Sequence, residues 1–101
     1  MIELDLAQFA AAVHAHAPQW EQAGIRWQLT FGPERGKSAA WVDCETDELL
    51  VQLIIWTNGA AELAVGNIVI GVIDQVHREL ASAEKIVKCL DDLTNHLTDH
   101  N

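Results

Sequence analysis

The feature that most constrains the fold is a change of hydrophobic period along the chain. Apolar and polar residues alternate from Ile25 to Phe31, as in a strand with one buried face. Further strand-like segments follow at residues 39–44, 49–56 and 61–65. The connections between them are short, and such hairpin-length links exclude a parallel sheet, which needs long crossovers. The pattern therefore predicts an antiparallel meander of four or five strands.

Turn residues separate these segments. A polar loop, Gly32–Lys37, follows the first strand, and Glu45-Thr46-Asp47 predicts a tight acidic turn. Asn58-Gly59 is the dipeptide that supplies the positive φ angles of a hairpin turn. Gly66-Asn67 marks another turn, after which residues 68–77 predict a fifth strand or, from Val72, the start of a helix. Leu49–Trp56 is nearly all apolar, which predicts the centre of the sheet with both faces partly covered.

Helical periodicity flanks the strands at both ends. Asp5 is the expected N-cap of the first helix, Pro18 is expected to kink it or to begin a second one, and Gly24 to end it. Ser82 is the expected cap of the last helix, and residues 98–101 are expected to fray. The apolar stripes of the two helices comprise Leu6, Phe9, Ala10, Val13, Ala17 and Trp20, and Ala83, Ile86, Val87, Leu90, Leu93 and Leu97.

These elements predict an α+β fold: an N-terminal helix, a four- to five-stranded antiparallel meander, and a C-terminal helix. Two apolar stripes must bury against something, and one face of the sheet is the available surface. We therefore expect both helices on one face. With 101 residues, of which 50% are hydrophobic, the chain is expected to form one domain over residues 1–101.

Charge limits the possible partners. Six Lys and Arg stand against fifteen Asp and Glu, for a formal net charge of -9 at pH 7. Nucleic acids and anionic membranes attract Lys and Arg, so neither is an expected partner. An acidic surface instead speeds encounter with a basic protein, although solubility alone could also explain it. The chain has no evident leader or membrane-spanning run, and its two cysteines are far apart, so we expect a cytoplasmic protein with reduced thiols.

The sequence does not predict an enzyme, a metal or a cofactor. Acidic neighbours of Cys44 should raise its pKa, and Cys89 is expected at the edge of the core. His16 is expected to be a packed, hydrogen-bonded side chain. His96 and His100 have the four-residue spacing of metal ligands, but no third ligand is specified. Nucleotide-binding and nucleophile-elbow motifs are missing from the sequence.

Acidic and tryptophan side chains are the candidate binding residues. Asp43, Glu45, Asp47 and Glu48 crowd the second hairpin, either as a solvated turn or as an electrostatic contact for a basic partner. Trp20 and Trp27 are expected in the core. Trp41 and Trp56 are harder to place because their strands are apolar on both sides. We expect them in the core as well, but an exposed Trp56 would be a strong interface anchor.

Several short segments follow one another in a recognisable order. They are Trp20 followed by Gly24-Ile25, a strand ending at Phe31, Trp41-Val42-Asp43, a Trp-x-x-Gly-x-x-Glu-Leu hairpin at residues 56–63, and His77-Arg78-Glu79-Leu80 before an acidic helix. Together these segments resemble the TriTu-type immunity proteins of bacterial contact-dependent toxin systems.

The resemblance implies an antidote that binds a cognate ADP-ribosyltransferase toxin, one that modifies elongation factor Tu. Such toxins are typically the C-terminal part of a large Rhs-type effector delivered by a type VI secretion apparatus. The antidote would cover the toxin's NAD or substrate cleft and do no chemistry itself. The alternative is an acidic binding module, for a small molecule or with a chaperone-like role, that uses a pocket lined by Trp41 or Trp56.

Overall fold

A computed structural model describes residues 5–32, 39–80 and 82–98. The elements, in chain order, are α1 (Leu6–Gln22), β1 (Arg26–Phe31), β2 (Ala39–Glu45), β3 (Leu49–Trp56), β4 (Ala60–Asn67), β5 (Val72–Glu79) and α2 (Ala83–Thr98). The predicted α+β order of helix, antiparallel meander and helix is confirmed. The loop expected at residues 32–37 and the fraying expected at residues 98–101 lie outside the described residues, except for Gly32 and Thr98.

The five strands form one sheet in the order β1-β2-β3-β4-β5, and every neighbouring pair is antiparallel. The central strand is β3, as its apolar sequence predicts. Its register places Leu53 between Val42 of β2 and Leu63 of β4. These three side chains share one face of the sheet, because residues directly opposite each other in a ladder point the same way.

The fifth strand begins four residues later than predicted. Residues 68–71 form the β4–β5 turn, although their apolar run is typical of a strand. The Asn67 side chain accepts hydrogen bonds from the backbone N–H groups of Val69 and Ile70, at 3.0 and 3.2 Å. Gly71 then takes a φ of 73°, which a β-branched residue would adopt only under strain. The polar cap and the glycine thus override the strand preference of the residues between them.

The β3–β4 turn also differs in detail from the prediction. The Gly59 N–H donates to the carbonyl of Trp56 at 2.9 Å, and Gly59 has a φ of 89°. Within the described residues, only glycines have positive φ, so Asn58 does not contribute a second such angle. Instead, its side-chain oxygen accepts from the N–H of Ala60 at 2.9 Å.

The helix ends follow the predicted caps. Asp5 accepts from the N–H of Ala7 at 2.9 Å, and Ser82 accepts from the N–H of Lys85 at 3.2 Å. The helix α1 runs through Pro18 as a single element, so the alternative of a second short helix is wrong. It ends at Gln22, and Gly24, two residues later, has a φ of 76° that turns the chain so that the Ile25 N–H donates to the Trp20 carbonyl at 2.9 Å.

The core lies between the two helices and one face of the sheet, here called the covered face. Its buried residues come from both helices, from β2, β3 and β4, and from the segments that flank the sheet. They are Phe9, Val13, Ala17, Trp20, Ile25, Ala40, Val42, Cys44, Val51, Leu53, Ile55, Ala61, Leu63, Leu80, Ile86, Cys89, Leu90, Leu93 and Leu97. The predicted packing of both helices on one face is confirmed.

Two side-chain links fix the helices to each other. The Trp20 indole N–H donates to the Thr94 hydroxyl at 2.8 Å, and that hydroxyl donates to the Leu90 carbonyl. The two nitrogens of His16 lie 2.8 Å from the Ala12 carbonyl and from the Asp91 carboxylate. The expectations of a buried Trp20 and a packed, hydrogen-bonded His16 are therefore confirmed.

Candidate functional site

The other face of the sheet, here called the open face, faces away from both helices. Its side chains alternate with the core residues along each strand and are half-buried or exposed. Across β1 to β5 they are Arg26, Gln28 and Thr30; Ala39, Trp41, Asp43 and Glu45; Leu50, Gln52, Ile54 and Trp56; Ala60, Glu62 and Ala64, with Gly66; and Ile73, Gln75, His77 and Glu79.

One end of the open face is acidic. Glu45 accepts from the Arg26 guanidinium at 3.0 Å, and the same guanidinium approaches Asp47 at 3.9 Å. Asp43 lies farther along β2 and accepts from the Gln52 side chain at 2.8 Å. Arg26 therefore offsets part of the negative charge, and the carboxylates of Asp47 and Glu48 extend into solvent beyond it.

The β2–β3 turn holds these two carboxylates in a defined position. The Thr46 N–H donates to the Leu49 carbonyl at 2.8 Å, which closes the turn. The Thr46 hydroxyl accepts in return from the N–H groups of Glu48 and Leu49, at 3.3 and 3.0 Å. Because the backbone polar groups are satisfied internally, Asp47 and Glu48 point outward from a hydrogen-bonded turn.

The opposite end of the open face carries two tryptophans. Trp41 of β2 and Ile54 of β3 are cross-strand neighbours, and Trp56 lies two residues beyond Ile54 on the same face. All three are half-buried. The expectation that Trp41 and Trp56 lie in the core is wrong, because the helices cover the face formed by the alternate residues of these strands. The expected partial cover of β3 differs between its two faces: the helices bury one face almost fully, whereas Gln52, Ile54 and Trp56 on the other are half-buried.

Trp41 is held in place by a close approach to the backbone. A Cβ atom on Gly32 would lie 3.1 Å from the Trp41 ring, closer than nearly all real contacts of that kind. The Gly32 N–H donates to the Ala39 carbonyl at 2.8 Å, which keeps the two strands together here. The glycine thus leaves room for the Trp41 indole at this end of the sheet.

A shallow apolar depression lies on the open face near the β4–β5 turn. Leu50, Ile68 and Ile73 line it together with Gly66, which leaves the space between them unfilled, and its volume is about 200 Å³. These residues are not among the binding residues that the sequence predicts. The sequence indicates the depression only through Gly66, which has no side chain and lies opposite Leu50 on one side and Ile73 on the other. The tryptophans do not line this depression, which differs from the pocket expected for a small-molecule module.

The structure brings the predicted binding residues onto one surface but not into one cluster. Asp43, Glu45 and Trp56 lie on the open face, whereas Asp47 and Glu48 lie on the adjoining turn. Trp56 is at the far end of β3 from that turn, roughly 24 Å away at the usual rise per residue. A partner must therefore span the length of the sheet to contact all five residues, which an interface of ordinary size does.

The two thiols are poorly suited to nucleophilic chemistry. Burial raises the pKa of the Cys44 thiol to about 12, and the neighbouring Asp43 carboxylate adds to the effect. The predicted direction is confirmed, although burial rather than the acidic neighbour is the larger cause. Burial also raises the pKa of Cys89, with Arg78 acting in the opposite sense. A neutral thiol is a weak nucleophile, so both side chains act as small apolar core residues.

No three His, Cys, Asp or Glu side chains gather as metal ligands would in the part of the chain that the structure describes. His96 belongs to that part, whereas His100, its expected companion, lies outside it. Within the same ranges, neither helix has the length and apolar character that crossing a membrane requires.

Comparison with known proteins identifies the family. The family described as Immunity protein TriTu matches residues 7–96, from the second residue of α1 almost to the end of α2. No curated protein matches the chain. The match includes every strand of the sheet and both tryptophans of the open face. The chain therefore belongs to the TriTu immunity protein family.

Proposed function

We propose that this protein neutralises a cognate toxin domain by binding it across the open face. One observation carries the proposal: a sheet face with two half-buried tryptophans beside Ile54 at one end and several carboxylates at the other. Tryptophan is enriched among the residues that contribute most to protein interfaces, so two half-buried tryptophans grouped on one sheet face are candidate anchors for a partner.

The two ends of the open face would contribute differently to binding. Trp41, Ile54 and Trp56 would supply buried apolar area, which sets how slowly the complex dissociates. The carboxylates of Asp43, Glu45, Asp47 and Glu48 would attract a basic toxin surface from a distance and set how quickly the complex forms. Arg26 lies 3.0 Å from Glu45 but 3.9 Å from Asp47 and so offsets Glu45 more, and the outer pair Asp47 and Glu48 is therefore expected to contribute most of this attraction.

The toxin, by family resemblance, would be an ADP-ribosyltransferase that modifies elongation factor Tu and arrives as part of an Rhs-type effector through type VI secretion. The immunity protein would act in the cytoplasm, cover the NAD or substrate cleft, and do so as a single domain over residues 1–101.

A reconstituted modification assay tests the proposal. The purified toxin domain, elongation factor Tu and labelled NAD are combined, and this protein is added in increasing amounts. We expect label transfer to stop at one molecule of immunity protein per toxin, because a tight inhibitor titrates its target. Full label transfer at tenfold excess would overturn the proposal.

A cell-based assay provides the matched test of the partner's identity. The polypeptide encoded immediately upstream is co-expressed with this protein or with a Trp41→Ala/Trp56→Ala variant. Survival together with a one-to-one complex is expected for the natural chain, and weaker rescue for the variant. Toxicity that the natural chain does not relieve would exclude that polypeptide as the target.

A further inference from the structure

The last strand of the sheet, β5, is an edge strand exposed on both faces. Seven of its eight residues are exposed, and only Arg78 is half-buried. On the covered side, Val72 and Val76 are each 47% exposed, and on the open side Ile73 is 71% exposed. Folded proteins usually protect such an edge with lysine, proline or a bulge, because its free peptide groups can pair with another strand. The strand β5 contains no lysine or proline. Its inward-pointing charges, Asp74 and Arg78, are a further kind of edge protection, but they have opposite signs and therefore do not exclude a second copy of the same strand.

The direction of the peptide groups in β5 follows from one hydrogen bond beside it. The Leu80 N–H donates to the Gly59 carbonyl at 2.7 Å, so Leu80 turns its peptide groups toward β4. In an antiparallel pair this direction alternates, so Val76 does the same. The alternate residues of β5 therefore turn their N–H and C=O groups to the free edge: Ile73, Gln75, His77 and Glu79.

The charged side chains of β5 are self-complementary about Val76. Asp74 lies two residues before Val76, Arg78 lies two residues after it, and all three point to the covered face. If two copies pair antiparallel with Val76 opposite Val76, each Asp74 lies opposite the Arg78 of the other copy. These positions do not exchange backbone hydrogen bonds, so their side chains approach closely. The four outward-facing residues of each copy would then exchange backbone bonds with the other copy.

Other registers lose this complementarity. A centre at Gln75 places Asp74 opposite Val76 and Arg78 opposite Val72, and a centre at Asp74 places the two Asp74 carboxylates together. The guanidinium of Arg78 also has unused hydrogen-bonding capacity. It reaches the Asp92 carboxylate only at 3.8 Å, and its buried Nε has no hydrogen-bond partner among the described residues. A second carboxylate would therefore meet available donors.

We propose that the protein forms a two-fold symmetric dimer by antiparallel pairing of β5 with β5 of a second copy, in the register centred on Val76. The pairing joins two five-stranded sheets into one continuous sheet of ten strands. It covers Val72 and Val76 and leaves the tryptophan end of both open faces accessible. Most of the acidic residues lie outside β5. The paired edge contributes two ion pairs, each between Asp74 of one copy and Arg78 of the other.

Sedimentation equilibrium of the purified chain, without toxin, tests the dimer independently of the proposed function. The natural chain should form dimers whose dissociation constant increases with salt. Asp74→Arg should weaken dimerisation about tenfold or more, because two attractive pairs become repulsive. Asp74→Arg/Arg78→Asp should restore it to within about threefold of the natural chain, because the pairs are exchanged. Asp47→Arg makes the same charge change away from β5 and should have little effect.

Two further measurements keep the test decisive if the Arg78 change unfolds the protein. Val76→Lys alters an exposed side chain, places two ammonium groups together at the axis, and should give a monomer. Circular dichroism and thermal unfolding check that each variant is folded. A natural chain that stays monomeric up to about 1 mM, or a dimer that is unaffected by Asp74→Arg and Val76→Lys, would overturn the proposal.

Discussion

The two faces of the sheet differ although the same strands form both. On β3, Leu53 is fully buried beneath the helices, whereas its neighbour Ile54 lies half-buried beside Trp41 on the open face. On β2, the buried Cys44 follows Asp43, which is hydrogen-bonded to Gln52 on the open face. One residue along a strand thus separates side chains that stabilise the fold from side chains that are available to a partner.

Because the two faces are separate, substitutions can test the stability of the fold and the binding of the toxin independently. Substitutions on the covered face should lower the free energy of unfolding. They should weaken toxin binding only because less of the protein is folded. Changes on the open face should lower toxin affinity and leave the fold largely intact.

The largest difference is expected between Leu53→Ala and Ile54→Ala. Leu53 is fully buried between helices and sheet, so its truncation leaves a cavity and should cost about 2–5 kcal/mol of unfolding free energy. Ile54 keeps contact with solvent, and the same truncation should cost about 1 kcal/mol. Urea unfolding measures both. Equal losses would mean that the open face is packed as tightly as the core.

The next largest effect is expected for Trp56→Ala in toxin binding. Removing an interface tryptophan should raise the dissociation constant of the complex by about thirtyfold or more, or roughly 2 kcal/mol. Phe31→Ala is the matched control, because Phe31 is 54% exposed but lies on the covered side of β1. Calorimetric titration measures both. If the Phe31 change weakens binding and the Trp56 change does not, the toxin binds elsewhere.

The buried thiol of the covered face should make stability depend on pH in the alkaline range. The pKa of Cys44 is raised from 9.0 to about 12 in the folded protein. Above pH 9 the unfolded chain therefore loses a proton that the folded chain keeps, and stability falls as pH rises. The expected contribution is about 1.4 kcal/mol per pH unit between the two pKa values.

Urea unfolding at pH 8 and pH 10 measures this contribution, and Cys44→Ala should flatten the decline while lowering stability at both pH values. Asp43→Asn is the control, since it removes only the smaller cause and should leave most of the decline in place. A natural chain that is equally stable at both pH values would contradict the assigned burial of the thiol.

The smallest effect is expected for the rate of association. Glu48→Lys, on the β2–β3 turn, should slow toxin binding about threefold at low ionic strength and weaken its dependence on salt. Glu84→Lys makes the same change in the first turn of α2, away from the open face, and should alter the rate less. Stopped-flow measurements at several salt concentrations compare them. Identical rates for both variants would show that net charge alone, rather than the turn, attracts the toxin.

The sequence was sufficient to predict the element order, because alternation and helical period are local properties of the chain. The sequence Ile68-Val69-Ile70 predicts a strand, because β-branched side chains favour strands. The turn depends instead on the Asn67 side chain, which accepts two backbone hydrogen bonds, and on the positive φ of Gly71, which reverses the chain. In such short apolar runs, hydrogen bonds from one polar residue decide the structure.

The site was predicted less completely, for a different physical reason. Period shows which residues share a face, but not which face the helices cover. Trp41 and Trp56 were therefore expected in the core, although both lie on the open face. Likewise, the depression beside Gly66 depends on which residues are opposite each other on three strands. Such register is not visible from one strand at a time.

Hydroxyl-radical footprinting of the toxin complex tests the central claim most directly, because it measures the solvent exposure of individual tryptophans. Trp41 and Trp56 lie on the open face, Trp27 is half-buried on the covered side, and Trp20 is fully buried. The open-face account predicts that toxin binding protects Trp41 and Trp56, leaves Trp27 unchanged, and finds Trp20 unreactive throughout. Unchanged oxidation of Trp41 and Trp56 in a saturated complex would show that the toxin binds another surface.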